Sequence, residues 1–285
     1  VKAPAARNVP ALLQALRDEE FTGTVRVSGS PGGTIHLRNG LVGAIETPGA
    51  PTATSALLTT GRIDDEAWLT ACATEPDADR LGAHLVTARL IGAAELEVVC
   101  TAAVHDGAFA MSLGAPGGWV MGDREPTLVA SPGVEPRVLT DEVARRVGLL
   151  GRAGVTAGEL ARSRPEAVGD PERRGAAALE GHRGGPWVPP RLRELLDAVN
   201  GRRTPRDLAF ALGRGLYAVM LDLDRLESQG LIRREARTAP GDRPSTAPRV
   251  IPGNADGSTP AAGPLPRRRP GGGTRPGERG EKADR

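Results

Sequence analysis

Between residues 202 and 234 the chain carries seven arginines: Arg202, Arg203, Arg206, Arg214, Arg225, Arg233 and Arg234. A guanidinium presents a fixed fork of donors that matches phosphate. Arg202, Arg203 and Arg206 flank the first turn of a helix expected to open at Thr204, where backbone N–H groups without helical partners would help them hold a phosphate. Tyr217 can donate to a phosphate, and Arg214 and Arg225 can reach phosphate or guanine. A second chemistry is interleaved with this one. Tyr217, Ala218, Leu221 and Asp222 form a patch better suited to a protein partner, because an exposed leucine gains little in a polar groove and phosphates repel a carboxylate that does not meet a cytosine amino group.

Other reactive side chains do not assemble into a motif. Cys72, His84, Cys100 and His105 supply four nominal zinc ligands, but no two have chelating spacing such as C-x-x-C, so no metal is expected. A disulfide is not expected in a reducing compartment. His36 is expected at the surface of a hairpin, His105-Asp106 at the end of a helix before Gly107, and Trp187 as an anchor packed on the back of the chain. Lysine occurs only at positions 2 and 282, which excludes Walker-type, kinase and Schiff-base lysines between them. G-x-S-x-G and H-E-x-x-H are missing. No catalytic residue, cofactor or metal is therefore expected.

The elements that would position these residues can be read from periodicity. Asn8 is a candidate cap for a short helix with Leu12, Leu13 and Leu16 on one face. Alternating "TVRV", "GTIHLR" and "LVGAIE" predict a three-stranded meander, its last turn made by Asn39-Gly40. Residues 56–72 align without gaps on 84–100, matching Leu57 with Leu85, Ile63 with Ile91 and Cys72 with Cys100, so each copy reads as helix, turn, helix. The apolar face is expected to be set by Trp68 and Leu69 in one copy and by Leu96 and Val99 in the other. Alternation at Phe109, Met111 and Leu113 predicts a closing hairpin over 107–123, and Thr140 is expected to cap a helix reaching Leu150.

Further on, prolines launch a helix with Leu192, Leu195, Leu196 and Val199 on its stripe. Thr204 and Asp207 form a capping box, Gly213 ends that helix, and Leu216, Val219, Met220, Leu223 and Leu226 mark the buried face of the next. "LIRRE" is expected as a wing strand. The expected organisation is an interaction or sensor domain over 8–150, a flexible linker over 151–188, a winged helix-turn-helix over 189–235 and a disordered basic Pro/Gly/Arg-rich tail over 236–285, which holds 9 Pro and 9 Gly.

The formal net charge of +2 conceals an asymmetry. Residues 8–150 hold 10 Arg against 18 acids, a net −8, whereas 236–285 hold 10 basic residues against 5 acids. A polyanion would be repelled from the front and attracted to the back. No apolar run is long enough to span a bilayer, which points to a cytoplasmic protein.

Two resemblances follow from these residues. The stretch from about 8 to 122 has Thr22-Gly23 before the first strand and the hairpin pattern Gly33, Ile35, Leu37, Gly40, Val42, Ala44. With its late helical pair around Leu81-Gly82 and Leu90-Ile91, it resembles the PATAN-like domains of bacterial signalling proteins. That resemblance implies a mixed α+β domain that mediates protein contacts and brings no catalytic residues. Residues 189–235, through "RTPRDLAFALGR" and "LDRLESQGLI", are similar to MarR-like winged helices, and the combination resembles actinobacterial transcriptional-regulator-like proteins. The expected fold class is α+β. The leading expectation is a non-catalytic transcriptional regulator: a protein partner engages the acidic front, and the winged helix contacts double-stranded DNA through Arg202, Arg203, Arg206, Arg214, Tyr217, Arg225, Arg233 and Arg234. The alternative is a signalling adaptor whose winged helix binds protein through Tyr217, Ala218, Leu221 and Asp222.

Overall fold

The computed structural model describes residues 6–75, 78–151, 155–168 and 188–235, all within one compact unit, Val1–Ala239. The tail over 236–285, Trp187 and most of the expected linker lie outside the described residues. The architecture is mixed α+β with an antiparallel sheet, and no helix among the described residues is long and apolar enough to cross a membrane.

Helix α1 (Val9–Asp18) begins as expected: the Asn8 side chain accepts from the Ala11 amide, and Leu12, Leu13 and Leu16 are buried. Strands β1 (Gly23–Gly29), β2 (Gly33–Arg38), β3 (Leu41–Glu46) and β4 (Pro116–Gly122) form one sheet in the order β3-β2-β1-β4. Asn39 and Gly40 both take positive φ, the requirement of the tight hairpin turn between β2 and β3. Register aligns Ile45, Ile35, Val25 and Met121 in one row across the four strands, with Val25, Ile35 and Ile45 buried.

The repeat becomes two helical pairs, α2 (Ala53–Thr59) with α3 (Asp65–Thr74) and α4 (Ala78–Thr87) with α5 (Ala93–Ser112). Leu57 and Leu85 are fully buried, and Ile63 and Ile91 nearly so. The turns match as well, with Gly61 and Arg89, 28 residues apart, both left-handed at φ 65° and 57°. Leu69 departs from the expected face: it is 67% exposed, and Ala71 fills the buried position instead. Cys100 is buried, which pushes its thiol pKa up to about 11, and Cys72 is half-buried.

Three local expectations are corrected. Residues 107–112 continue α5 as helix, with Leu113 as its C-cap, and are not a strand of a hairpin. At 100° per residue Phe109 and Leu113 fall on one side and Met111 on the other. Phe109 and Leu113 pack into one apolar cluster and Met111 into another, so burial on both sides of a helix imitates the alternation of a strand. Gly107 lets α5 approach the sheet, because a Cβ there would lie 2.8 Å from Ile45 Cγ2. Helix α6 (Pro136–Leu150) starts at Pro136, and the Thr140 hydroxyl donates to the Pro136 carbonyl from inside it. His36 is buried, at 4% exposure, because the chain after β4 crosses that face of the sheet: Thr24 Oγ donates to Asp123 O, and Ala130 N donates to Gly43 O.

The back of the chain comprises α7 (Ala157–Arg162), β5 (Arg164–Ala167), α8 (Pro190–Ala198), α9 (Pro205–Leu212), α10 (Leu216–Ser228) and β6 (Ile232–Glu235). The capping box at Thr204 and Asp207, the left-handed Gly213 and the buried stripe of α10 fall where the sequence places them. Strand β6, expected as a wing, pairs with β5, a segment expected to be linker, in an antiparallel ribbon with Ala167 opposite Ile232. The core of this part is not its own. Phe109 and Ala110 of α5 and Leu150 of α6 are buried in one cluster with Leu195, Leu208, Val219, Met220, Leu223 and Leu226. Residues expected in two linked domains thus share one apolar cluster. Phe109→Ala is expected to destabilise the protein by about 3–5 kcal/mol and to keep a single unfolding transition. Urea denaturation followed by both tryptophan fluorescence and circular dichroism checks this, and two separate transitions would show independent units.

Candidate functional site

The expected DNA-reading face is the N-terminal half of α10 and the turn before it. That surface is engaged within the molecule. Both oxygens of Asp106, on α5, accept from the first amides of α10, from Leu216 N and from Tyr217 N at 2.9 Å. These amides belong to the group a helix leaves unsatisfied at its start, where the helix dipole also favours negative charge. Gly215 packs so closely that a Cβ would sit 3.3 Å from the Asp106 carboxyl carbon, and one on Gly213 would be 2.8 Å from Thr60 Cγ2 of the α2 C-cap. Tyr217 meets Phe109 edge to face at 5.3 Å, and the Arg146 guanidinium of α6 stands 4.8 Å over the Tyr217 ring. Arg146 also lies 3.8 Å from Asp106 and donates to Glu142 at 2.8 Å. The Glu142 carboxyl is held down to about 2 by Arg145 and then Arg146.

Asp222, expected on the exposed face, is 2% exposed. It accepts from Arg191 Nε at 2.8 Å and pairs with Arg214, which is thereby drawn inside and away from any external phosphate, while Arg191 stays largely exposed. Arg233 pairs with Glu166 of β5 at 2.8 Å. Arg234, almost fully buried, pairs with Glu227 and, at 3.1 Å, with Asp224. Leu221 and Ala218 are half-buried, Leu221 against the shared core, so the alternative protein-binding patch is also largely inside.

Arg202, Arg203, Arg206 and Arg225 remain exposed, with no carboxylate in ion-pair range among the described residues. Three amides near the first three are occupied. Asn200 Oδ1 accepts from Arg202 N at 3.0 Å and Arg203 N at 3.1 Å, and the Thr204 hydroxyl accepts from Asp207 N. Arg206 leans over Phe210 at 6.0 Å. The eight expected DNA contacts thus divide into three buried in ion pairs or facing carboxylates, one aromatic in the seam, and four exposed guanidinium groups on α9, the loop before it and the later turns of α10.

The residues that matter most here, Asp106, Arg146 and Arg191, carry no local signal. Asp106 meets α10 across 110 positions of sequence, and its neighbours spell only a helix before a glycine. No group of three or more His, Cys, Asp or Glu side chains converges among the described residues, and Cys72, His84, Cys100 and His105 stay apart as metal ligands. A cleft of about 240 Å³ opens beside the seam, walled by Val98, Val99, Ala102 and Pro51 with Arg62 at its rim. Compared with protein-family models, curated proteins and solved structures, the chain matches none.

Burial raises the Asp106 pKa above its ordinary value of 3.8, against the lowering pull of the Tyr217 and Leu216 amides and of Arg146. The folded state therefore binds this proton more tightly than the unfolded chain does, and stability from this site declines as pH rises from 3.8 through the folded-state pKa. The difference in unfolding free energy between wild type and Asp106→Asn should accordingly fall over that window. Denaturant titrations at stepped pH measure it, and a difference that grows with pH would show that the carboxylate is not desolvated.

Proposed function

We propose that this protein is a non-catalytic signalling adaptor in which an acidic α+β domain holds a winged-helix unit by protein–protein contact. The observation that carries this reading is the Asp106 carboxylate closed onto the first amides of α10. A recognition helix reads base edges with its N-terminal residues. Here those residues face α5 and α6, and a duplex approaching along that axis would meet the Asp106 carboxylate and Phe109. The interaction domain, the PATAN-like motifs and the absence of a recognisable nucleophile–base pair in the sequence support regulation over chemistry. In this reading the acidic front, net −8, is the surface that meets another protein.

A second reading is favoured by the exposed Arg202, Arg203, Arg206 and Arg225: a transcriptional regulator whose α10 enters a groove once Asp106 lets go. A salt titration of random-duplex binding separates the two, since log affinity falls with log salt by about 0.9 per phosphate neutralised. The adaptor reading expects no duplex retention at low salt by wild type or by Asp106→Ala. Wild-type retention with a steep salt slope, abolished by replacing Arg202, Arg203 and Arg206 with Glu, would overturn it. Retention gained only in Asp106→Ala would select the regulator.

A further inference from the structure

The sheet has two edges, and among the described residues only one is closed. At β3 the chain seals its own edge: Val42 and Val134 exchange backbone hydrogen bonds at 2.9 and 2.8 Å, and Ala130 N donates to Gly43 O at 2.8 Å. At the other edge β4 pairs with β1 alone among the described residues, with Trp119 opposite Val27 and Gly122 opposite Thr24. Among the described residues, no backbone hydrogen bond other than those to β1 reaches residues 116–122. Edge strands are ordinarily protected by charge, a covering segment or a bulge. Residues 107–122 contain no charged side chain, and Pro116 and the irregular register near Gly29 blunt only the beginning of β4. Val120, in the regular part, is 69% exposed, the most exposed large apolar side chain among the described residues.

We infer that β4 is an interaction surface for a second copy of this chain, the two β4 strands pairing antiparallel about a two-fold axis. Three observations select that occupant. A strand paired with itself in antiparallel sense offers each N–H a carbonyl, and with no charge on β4 it opposes no like charges. The guanidinium directly opposite Val120 on β1, that of Arg26, already pairs with Glu125. The sealed β3 edge ends growth at two copies, giving one sheet in the order β3-β2-β1-β4-β4-β1-β2-β3 with no open end. A charged peptide would find no ionic anchor on this strand. The inference is independent of what the winged-helix unit binds.

Sedimentation velocity of the full chain over low to high micromolar concentration tests it. The mass should rise from one chain toward two, and the dimer should tighten with added salt, because two acidic fronts of net −8 repel each other and salt screens them. Val120→Lys places like charges together on an exposed position and should weaken the dimer by about tenfold or more, a change of roughly 1.4 kcal/mol. Hydrogen exchange of the wild type keeps the test decisive if that variant folds poorly: amides of 118–122 should gain protection with protein concentration. A monomer at every concentration overturns the inference. So does a dimer that leaves these amides unprotected or is unaffected by Val120→Lys in a folded variant.

Discussion

Asp106 is nearly removed from water, and the first two amides of α10 have no helical partners, so each satisfies what the other lacks. A hydrogen bond to a charged group contributes about 1.5–3 kcal/mol net, and a buried group left without its partner forfeits its full desolvation cost. Separating α10 from α5 would expose that cost on both sides at once, together with the contacts of Phe109 and Tyr217. This pairing explains why a chain whose sequence divides into two units folds its described residues as one. It also fixes the pose of α9 and α10: at Gly213 and Gly215, α2 and α5 come too close for a side chain to fit without displacement.

The pose in turn sorts the arginines. A guanidinium near a carboxylate of the core is drawn inward: Arg214 is committed in this way to Asp222 and Arg234 to Glu227, while Arg191 reaches Asp222 from an exposed position. The arginines left outside sit on the loop before α9, on its first turn and late on α10, away from the seam. Net charge by segment does not describe such a surface, because three of the seven acids among residues 189–235, Asp222, Asp224 and Glu227, take up particular cations by geometry among the described residues. The positive potential that survives is narrower than the composition of this segment suggests.

Much of the backbone was legible because its signals are local. The Asn8 cap, the Asn39-Gly40 turn, the Thr204–Asp207 box and the left-handed Gly213 each depend on residues within a few positions of one another. The internal repeat was legible for the same reason, and it places Leu57 and Leu85 in equivalent buried positions. What escaped depends on partners far apart. The alternation at Phe109, Met111 and Leu113 is ambiguous without knowing that two apolar clusters flank α5, and β5 had no strand signal beyond four residues, one of them proline, until β6 paired with it. Asp222 occupies an outward position in a helical wheel drawn for an isolated winged helix. Arg191, 31 positions earlier, and the turn residue Arg214 make that position an inside one.

The repeat also shows how the seam arises. The two helical pairs are equivalent through Cys72 and Cys100, but α3 ends at Thr74 whereas α5 runs on to Ser112. Glu75 is extended, and the sequence places Pro76 after it, a residue that disfavours helix at the position before it. The equivalent of Pro76 in the second copy is Val104, which is buried and helical. No proline then interrupts the chain until Pro116, so α5 gains the turns that carry Asp106, Gly107 and Phe109. Those added turns pass beyond the first core, against β3 on one side and α10 on the other. A duplicated helical pair that would otherwise close one domain thereby becomes the beam on which the second is built, and the asymmetry between Pro76 and Val104 accounts for why only the second copy can do so.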